Sequence, residues 1–145
     1  MKTLLAAILA AFTVRADTIP AGNLRISTES REMILYYETG GQAYYTARLQ
    51  RPTVPPGASG ITIGIGYDLG YNTADQIKAD WSGVIPDVHV ARLMTVAGRK
   101  GETARAVLSR VRDIIIPWDA AVSVYELKTV PRFADLDAEL RHLLA

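Results

Sequence analysis

The sequence predicts an α+β fold, a small glycine-rich β hairpin beside a mainly helical lobe. Three observations carry that expectation. Between Gly57 and Tyr71, in GASGITIGIGYDLGY, Ile61, Ile63, Ile65 and Tyr67 alternate with Thr62, Gly64, Gly66 and Asp68, the period of two of a strand with one buried face. Upstream, STESREMILYYETGG reads as one helix closed by a glycine pair, and from Thr73 onward apolar residues recur at helical spacing. At 145 residues, 49% apolar and 21% charged, the chain has the make-up of one globular domain able to bury a core.

The first residues, MKTLLAAILAAFTVRA, combine a positive start at Lys2, an apolar run from Leu4 to Val14 and small residues near Ala16. This is the pattern of a secretory signal peptide over residues 1–16, and the apolar run is too short for an ordinary spanning helix. The expected address is therefore secreted or periplasmic, with residues 17–145 as the mature domain. ADTIPAGNLRIS then reads as a polar surface lead broken by Pro20 and Gly22.

The first helix is expected from Ser27 or Thr28, either of which can cap it, to the stop at Gly40–Gly41. Met33, Ile34 and Tyr37 form its inward stripe. Glu38 falls in its last turn, where the negative end of the helix dipole disfavours a carboxylate by a few tenths of a kcal/mol. QAYYTARLQRPTVPPGAS follows as an irregular loop or edge, because Pro52, Pro55 and Pro56 forbid helix and discourage a central strand. Tyr36, Tyr37, Tyr44, Tyr45, Tyr67 and Tyr71 crowd this half of the chain, and a tyrosine plate with a hydroxyl handle suits a sugar ring or a core edge.

In the central run Thr62 and Asp68 project to the same face. A straight strand would hold them roughly 20 Å apart, too far to act on one bond. The glycines at 64, 66 and 70 permit a hairpin or bulge that folds them back toward each other. Beyond it, Thr73 with Gln76 three residues on is a capping box that opens a short helix to about Trp81. Pro86 leads a helix with Val90, Leu93, Met94 and Ala97 on one face, and another starts near Glu102 with Ala104, Val107, Leu108 and Val111. Residues 113–117 are a β-branched link. Trp118, Ala121, Val122 and Tyr125 mark a further helix expected to stop before Pro131, and a last helix begins near Leu136.

Composition narrows the chemistry. Removing residues 1–16 leaves a net charge near −1, which offers no footprint for nucleic acid or an anionic membrane. The absence of cysteine excludes disulfides, thiol catalysis and cysteine-bound zinc. His89 and His142 lack metal-site spacing and read as helix-surface residues, so no metal and no cofactor is expected. What remains is Glu38, Thr62 and Asp68. Two carboxylates and a hydroxyl form the minimum set for splitting a glycosidic bond, one acid protonating the leaving oxygen while the second carboxylate handles water.

The run Thr62-Ile63-Gly64-Ile65-Gly66-Tyr67-Asp68, preceded by Glu38-Thr39-Gly40-Gly41 at a helix end, resembles the catalytic core of the phage-type lysozymes, and most closely the pesticin-like muramidase domain. In ordinary phage lysozymes the aspartate precedes the threonine by six residues, and that position here is Pro56; in the pesticin-like domains it follows by six, as Asp68 does. The resemblance spans roughly residues 27–133. It implies a lysozyme-like fold and hydrolysis of the β-1,4 bond between N-acetylmuramic acid and N-acetylglucosamine in peptidoglycan glycan strands. Glu38 would be the general acid, with Thr62 and Asp68 holding the attacking water, while Tyr67 and Gly64 are the expected substrate-contacting positions. It further implies a monomer acting without nucleic acid, metal or membrane. Family members usually continue past the helix near Leu136, so Leu140, Leu143 and Leu144 are expected to be short of packing partners. The rival expectation is a non-catalytic peptidoglycan-binding module on the same scaffold.

Overall fold

Helix α1 runs over Thr28–Thr39 and α2 over Gln42–Arg48, joined by Gly40 and Gly41 at φ 71° and 88°. These left-handed dihedrals carry no Cβ penalty at glycine and end α1 where the sequence places its stop. The structure, a computed structural model, describes residues 28–132, with side chains from Glu32 onward. The signal peptide, a Ser27 cap, the helix near Leu136 and His142 all lie outside the described residues.

Two expectations for this region are corrected. Helix α1 buries Leu35 and Thr39 and half-buries Ile34 and Glu38, leaving Met33 and Tyr37 exposed. Five consecutive apolar residues, Met33 to Tyr37, contain no polar gap to set a phase, so the neighbouring elements choose the face. Residues 42–48, expected as loop, are helical. Only Tyr45 of α2 is buried, so there is no stripe for a period to reveal. The prolines act downstream of Arg48, where the chain is irregular up to an isolated bridge between Thr53 and Thr62. Tyr45 anchors α2: its ring packs edge-on to Trp118 at 5.3 Å and its hydroxyl donates to the Ile116 carbonyl at 2.9 Å.

The predicted hairpin forms. Strands β1 (Thr62–Ile63) and β2 (Tyr67–Asp68) pair antiparallel around a turn in which Gly64 and Gly66 take φ 55° and 70°. Ile61, Ile63, Tyr67 and Leu69 point into the core, while Thr62 and Asp68 are half-buried on the other face.

The helical lobe follows the sequence pattern closely. Helix α3 (Ala74–Trp81) is capped by Thr73, whose Oγ1 accepts from Gln76 N at 3.2 Å, although the Gln76 side chain reaches Asp80 rather than back to the cap. Helix α4 (Asp87–Met94) begins just after Pro86 and packs on α3 through Val90 and Leu93. Helix α5 (Gly101–Val107) buries Ala104 and Val107. The link alternates, with Ile114 and Ile116 buried and Ile115 exposed. Helix α6 (Trp118–Val124) does not stop before Pro131 as expected; it widens into a π turn over Tyr125–Thr129 and stays helical to Arg132. In an α-helix Pro131 would owe a hydrogen bond to the Leu127 carbonyl and its ring would collide with that group. Widening the preceding turn relieves both demands, and Val130 N–H donates five residues back, to Tyr125. Helices and hairpin share one hydrophobic cluster centred on Trp81, Leu93, Val96 and Ile114, so the described chain is α+β.

Candidate active site

The hairpin register sets Thr62 opposite Asp68. Leu69 N–H donates to the Ile61 carbonyl at 2.8 Å, whereas both main-chain groups of Thr62 are turned away to Thr53, at 2.7 and 3.0 Å. Thr62 and Asp68 are thus a non-hydrogen-bonded cross-strand pair, the closer of the two kinds, with Cβ atoms about 4.5–5.5 Å apart. The straight-strand separation has collapsed to neighbouring side chains. Among the described residues the Thr62 hydroxyl makes no hydrogen bond.

Asp68 is held from two sides. Its Oδ2 accepts from Gly60 N at 3.1 Å and its Oδ1 from Gly70 N at 2.7 Å, the second bond capping the 3-10 turn Leu69–Tyr71. A Cβ at Gly60 would stand 2.3 Å from Oδ1 and 2.4 Å from Gly70 N, so glycine is required there by space. Each carboxylate oxygen accepts one backbone bond and keeps a lone pair for a further donor.

Glu38 stands in the last turn of α1, half-buried, and burial raises its carboxyl above the usual glutamate value. Its charge is felt at Tyr125, whose hydroxyl is pushed up to about 12 by burial and then by the negative charges of Glu38 and Glu126. The hairpin turn meets the same helix one turn earlier: a Cβ on Gly64 would lie 3.5 Å from that of Ala121. Ala121 and Tyr125 are four residues apart and share a helix face. Helix α6 therefore backs the hairpin turn at Ala121, and its π turn carries the Tyr125 hydroxyl that responds to the Glu38 charge. Among the described residues no hydrogen bond or ion pair joins Glu38 to Thr62 or Asp68. The structure pairs the second and third members of the expected set, Thr62 and Asp68, and holds the first, Glu38, half-buried at the end of α1.

Of the two positions expected to touch substrate, Tyr67 is buried in the interior, whereas Gly64 is half-buried in the hairpin turn. Tyr67 is 4% exposed; its ring packs edge-on to Trp81 at 5.4 Å, and its hydroxyl, raised far above its usual range by burial, donates to Asp80 Oδ2 at 2.7 Å. Side chains alternate across a strand, so a residue next to Asp68 faces the core that Asp68 avoids. Gly64 is glycine because Trp81 Cη2 would come within 3.1 Å of a Cβ and because its φ is left-handed.

The sequence reading missed a buried polar centre. Asp80, 2% exposed, accepts from Tyr67, from Gln76 Nε2 at 3.1 Å and from Arg132 Nη2, which bridges both its oxygens at 2.6 and 2.7 Å. The available signal was position: Asp80 sits between Ile77 and Trp81 on the apolar face of α3, and a carboxylate there needs partners. His89 is half-buried rather than a surface residue, with a buried Nδ1 that has no partner among the described residues. Among the described residues no three His, Cys, Asp or Glu side chains converge as a metal site, and no helix is long and apolar enough to cross a membrane.

The chain belongs to the family DUF8812, a domain of unknown function, whose family model matches residues 34–127. That span contains Glu38, the hairpin, Asp80 and Tyr125. No curated protein and no solved structure matches the chain.

Proposed function

We propose that this domain is a peptidoglycan hydrolase of lysozyme-like type, a muramidase cleaving the β-1,4 bond between N-acetylmuramic acid and N-acetylglucosamine. The observation that carries the reading is the cross-strand pairing of Thr62 with Asp68, in a chain whose Glu38 is half-buried with its carboxyl raised by burial. Glu38, whose carboxyl burial raises above the usual glutamate value, gives its proton to the leaving glycosidic oxygen. A water held between the Thr62 hydroxyl and the free lone pairs of Asp68 attacks the anomeric carbon from the other face and passes a proton to Asp68. The outcome is inversion, for which the carboxyl groups stand about 6.5–9.5 Å apart in the productive complex. Such a substrate places the enzyme outside the cytoplasm, secreted or in the periplasm.

The test is release of reducing ends from purified peptidoglycan by the parent and by Glu38→Gln. The parent is expected to release them and the variant to lose at least a hundredfold, the low end of what a positioned acid contributes. Equal rates would sink the assignment. One observation favours a second reading, a non-catalytic wall-binding module: both Asp68 oxygens already accept structural bonds from Gly60 and Gly70. Under that reading the folded parent sediments with the wall and releases nothing.

A further inference from the structure

The outer side of the 3-10 turn after Asp68 forms one wall of an open pocket of about 380 Å³ lined by Tyr71, Asn72, Thr73, Gly98 and Lys100 among others. Its frame is tied to the Asp68 turn. Asn72 Nδ2 donates to the Asp68 carbonyl at 2.8 Å, Gly98 N–H to the Leu69 carbonyl at 2.9 Å and Gly101 N–H to Ser59 at 2.9 Å, while Gly60 and Lys100 form an antiparallel bridge. A Cβ on Gly70 would come within 2.7 Å of the Arg99 carbonyl, so the two segments touch backbone to backbone. A ligand lying over Asp68 therefore meets this pocket at a fixed offset.

Among the described residues, Lys100 is the one charged residue in the lining. Its ammonium rests 3.4 Å above the Tyr71 ring, and among the described residues it enters no salt bridge. A cation held by an aromatic face keeps the N–H groups on its far side for another acceptor. The remaining walls are backbone, small side chains and the polar groups of Asn72 and Thr73, which match an elongated polar ligand rather than an apolar one.

We propose that this pocket binds a carboxylate-bearing substituent of the glycan handled at Asp68, with Lys100 as its recognising cation and Tyr71 holding that cation in place. The proposal rests on the muramidase reading and deepens it. In peptidoglycan the carboxylates are those of the peptide stem, or the lactyl carboxylate of N-acetylmuramic acid where no stem is attached, and an N-acetylglucosamine polymer has neither, so the pocket gives the site a preference for carboxylate-bearing, chiefly stem-bearing, glycan.

The test is calorimetric titration of the full chain with a soluble disaccharide–peptide from wall digests and with the carboxylate-free disaccharide of N-acetylglucosamine, using the parent, Lys100→Met and Lys100→Arg. Neither ligand contains the scissile bond, so binding is read apart from turnover, and the exposed Lys100 can be replaced without opening the core. The expected result is an approximately fivefold preference of the parent for the peptide-bearing ligand, the size of one accessible ion pair. That preference weakens with salt, vanishes in Lys100→Met and survives in Lys100→Arg. Equal affinity of the parent for the two ligands, a preference untouched by Lys100→Met, or binding of neither overturns the proposal. Wall hydrolysis by the same proteins separates the two readings: hydrolysis without preference leaves the muramidase and removes the pocket, whereas preference without hydrolysis removes the muramidase and leaves a stem-binding site.

Discussion

Glu38 connects stability to pH in a direction opposite to that of most surface carboxylates. Its folded-state proton affinity is raised by burial, so the folded chain holds the proton more tightly than the unfolded one. The contribution is full below the ordinary glutamate value of 4.5 and is lost as pH rises through the raised value. Glu38→Gln cannot ionise. It should melt above the parent near neutral pH, with the gain shrinking as the pH falls below the ordinary glutamate value, both read by scanning calorimetry. A gain of the same size at both would mean that burial does not perturb this carboxyl. The tyrosines teach a related lesson at the same scale. Tyr45 and Tyr67 are interior while Tyr36, Tyr37, Tyr44 and Tyr71 are exposed, and nothing in the residue type separates the two groups. Each interior hydroxyl finds its acceptor, the Ile116 carbonyl for Tyr45 and Asp80 for Tyr67, on another element of the fold.

Among the elements, the hairpin depends on glycines for two distinct reasons. Gly64 and Gly66 are needed for left-handed dihedrals. Gly60 does not take one; its reason is the space occupied by the Asp68 carboxylate and the Gly70 amide. Gly60→Ala should therefore cost roughly 3 kcal/mol by urea denaturation, the upper range for forcing extra volume into a packed site, because the atoms it strikes include backbone. An unchanged midpoint would mean that the Asp68 turn can shift freely. The hairpin was legible in the sequence because its alternation and its turn glycines agree. Helices α3 to α6 were legible because each buries a stripe. Helix α2 was not, since it buries a single residue, and the phase of α1 was not, since its apolar run is unbroken. For the site, the proximity of Thr62 and Asp68 followed from local rules, but the inward aim of Tyr67 and the role of Asp80 depended on what packs against them.

For the described residues, Asp80 is the point where three parts of the chain meet: β2 through Tyr67, α3 through Gln76 and Asp80 itself, and the helical stretch after the π turn through Arg132. Removing one partner strands a carboxylate in the interior, which costs more than the pair itself contributes. Arg132→Met should lower stability by about 3 kcal/mol, and Tyr67→Phe by about 1 kcal/mol. Because the two share Asp80, the double variant should lose a different amount from the sum of the single losses. Strict additivity in urea denaturation would show that the helical stretch carrying Arg132 is not coupled to the hairpin through this centre.

The π turn before Pro131 gives that meeting point its aim. One extra residue accommodated in a single helical turn rotates everything beyond it by about 100° relative to an unbroken α-helix. Arg132 lies beyond the turn and Tyr125 at its start, so the guanidinium that reaches Asp80 and the buried Tyr125 ring owe their relative bearings to a difference in residue count. Along this stretch the number of residues is therefore a constraint as firm as their identity: side chains of the same chemistry, set on a uniform helix of the same composition, would point elsewhere.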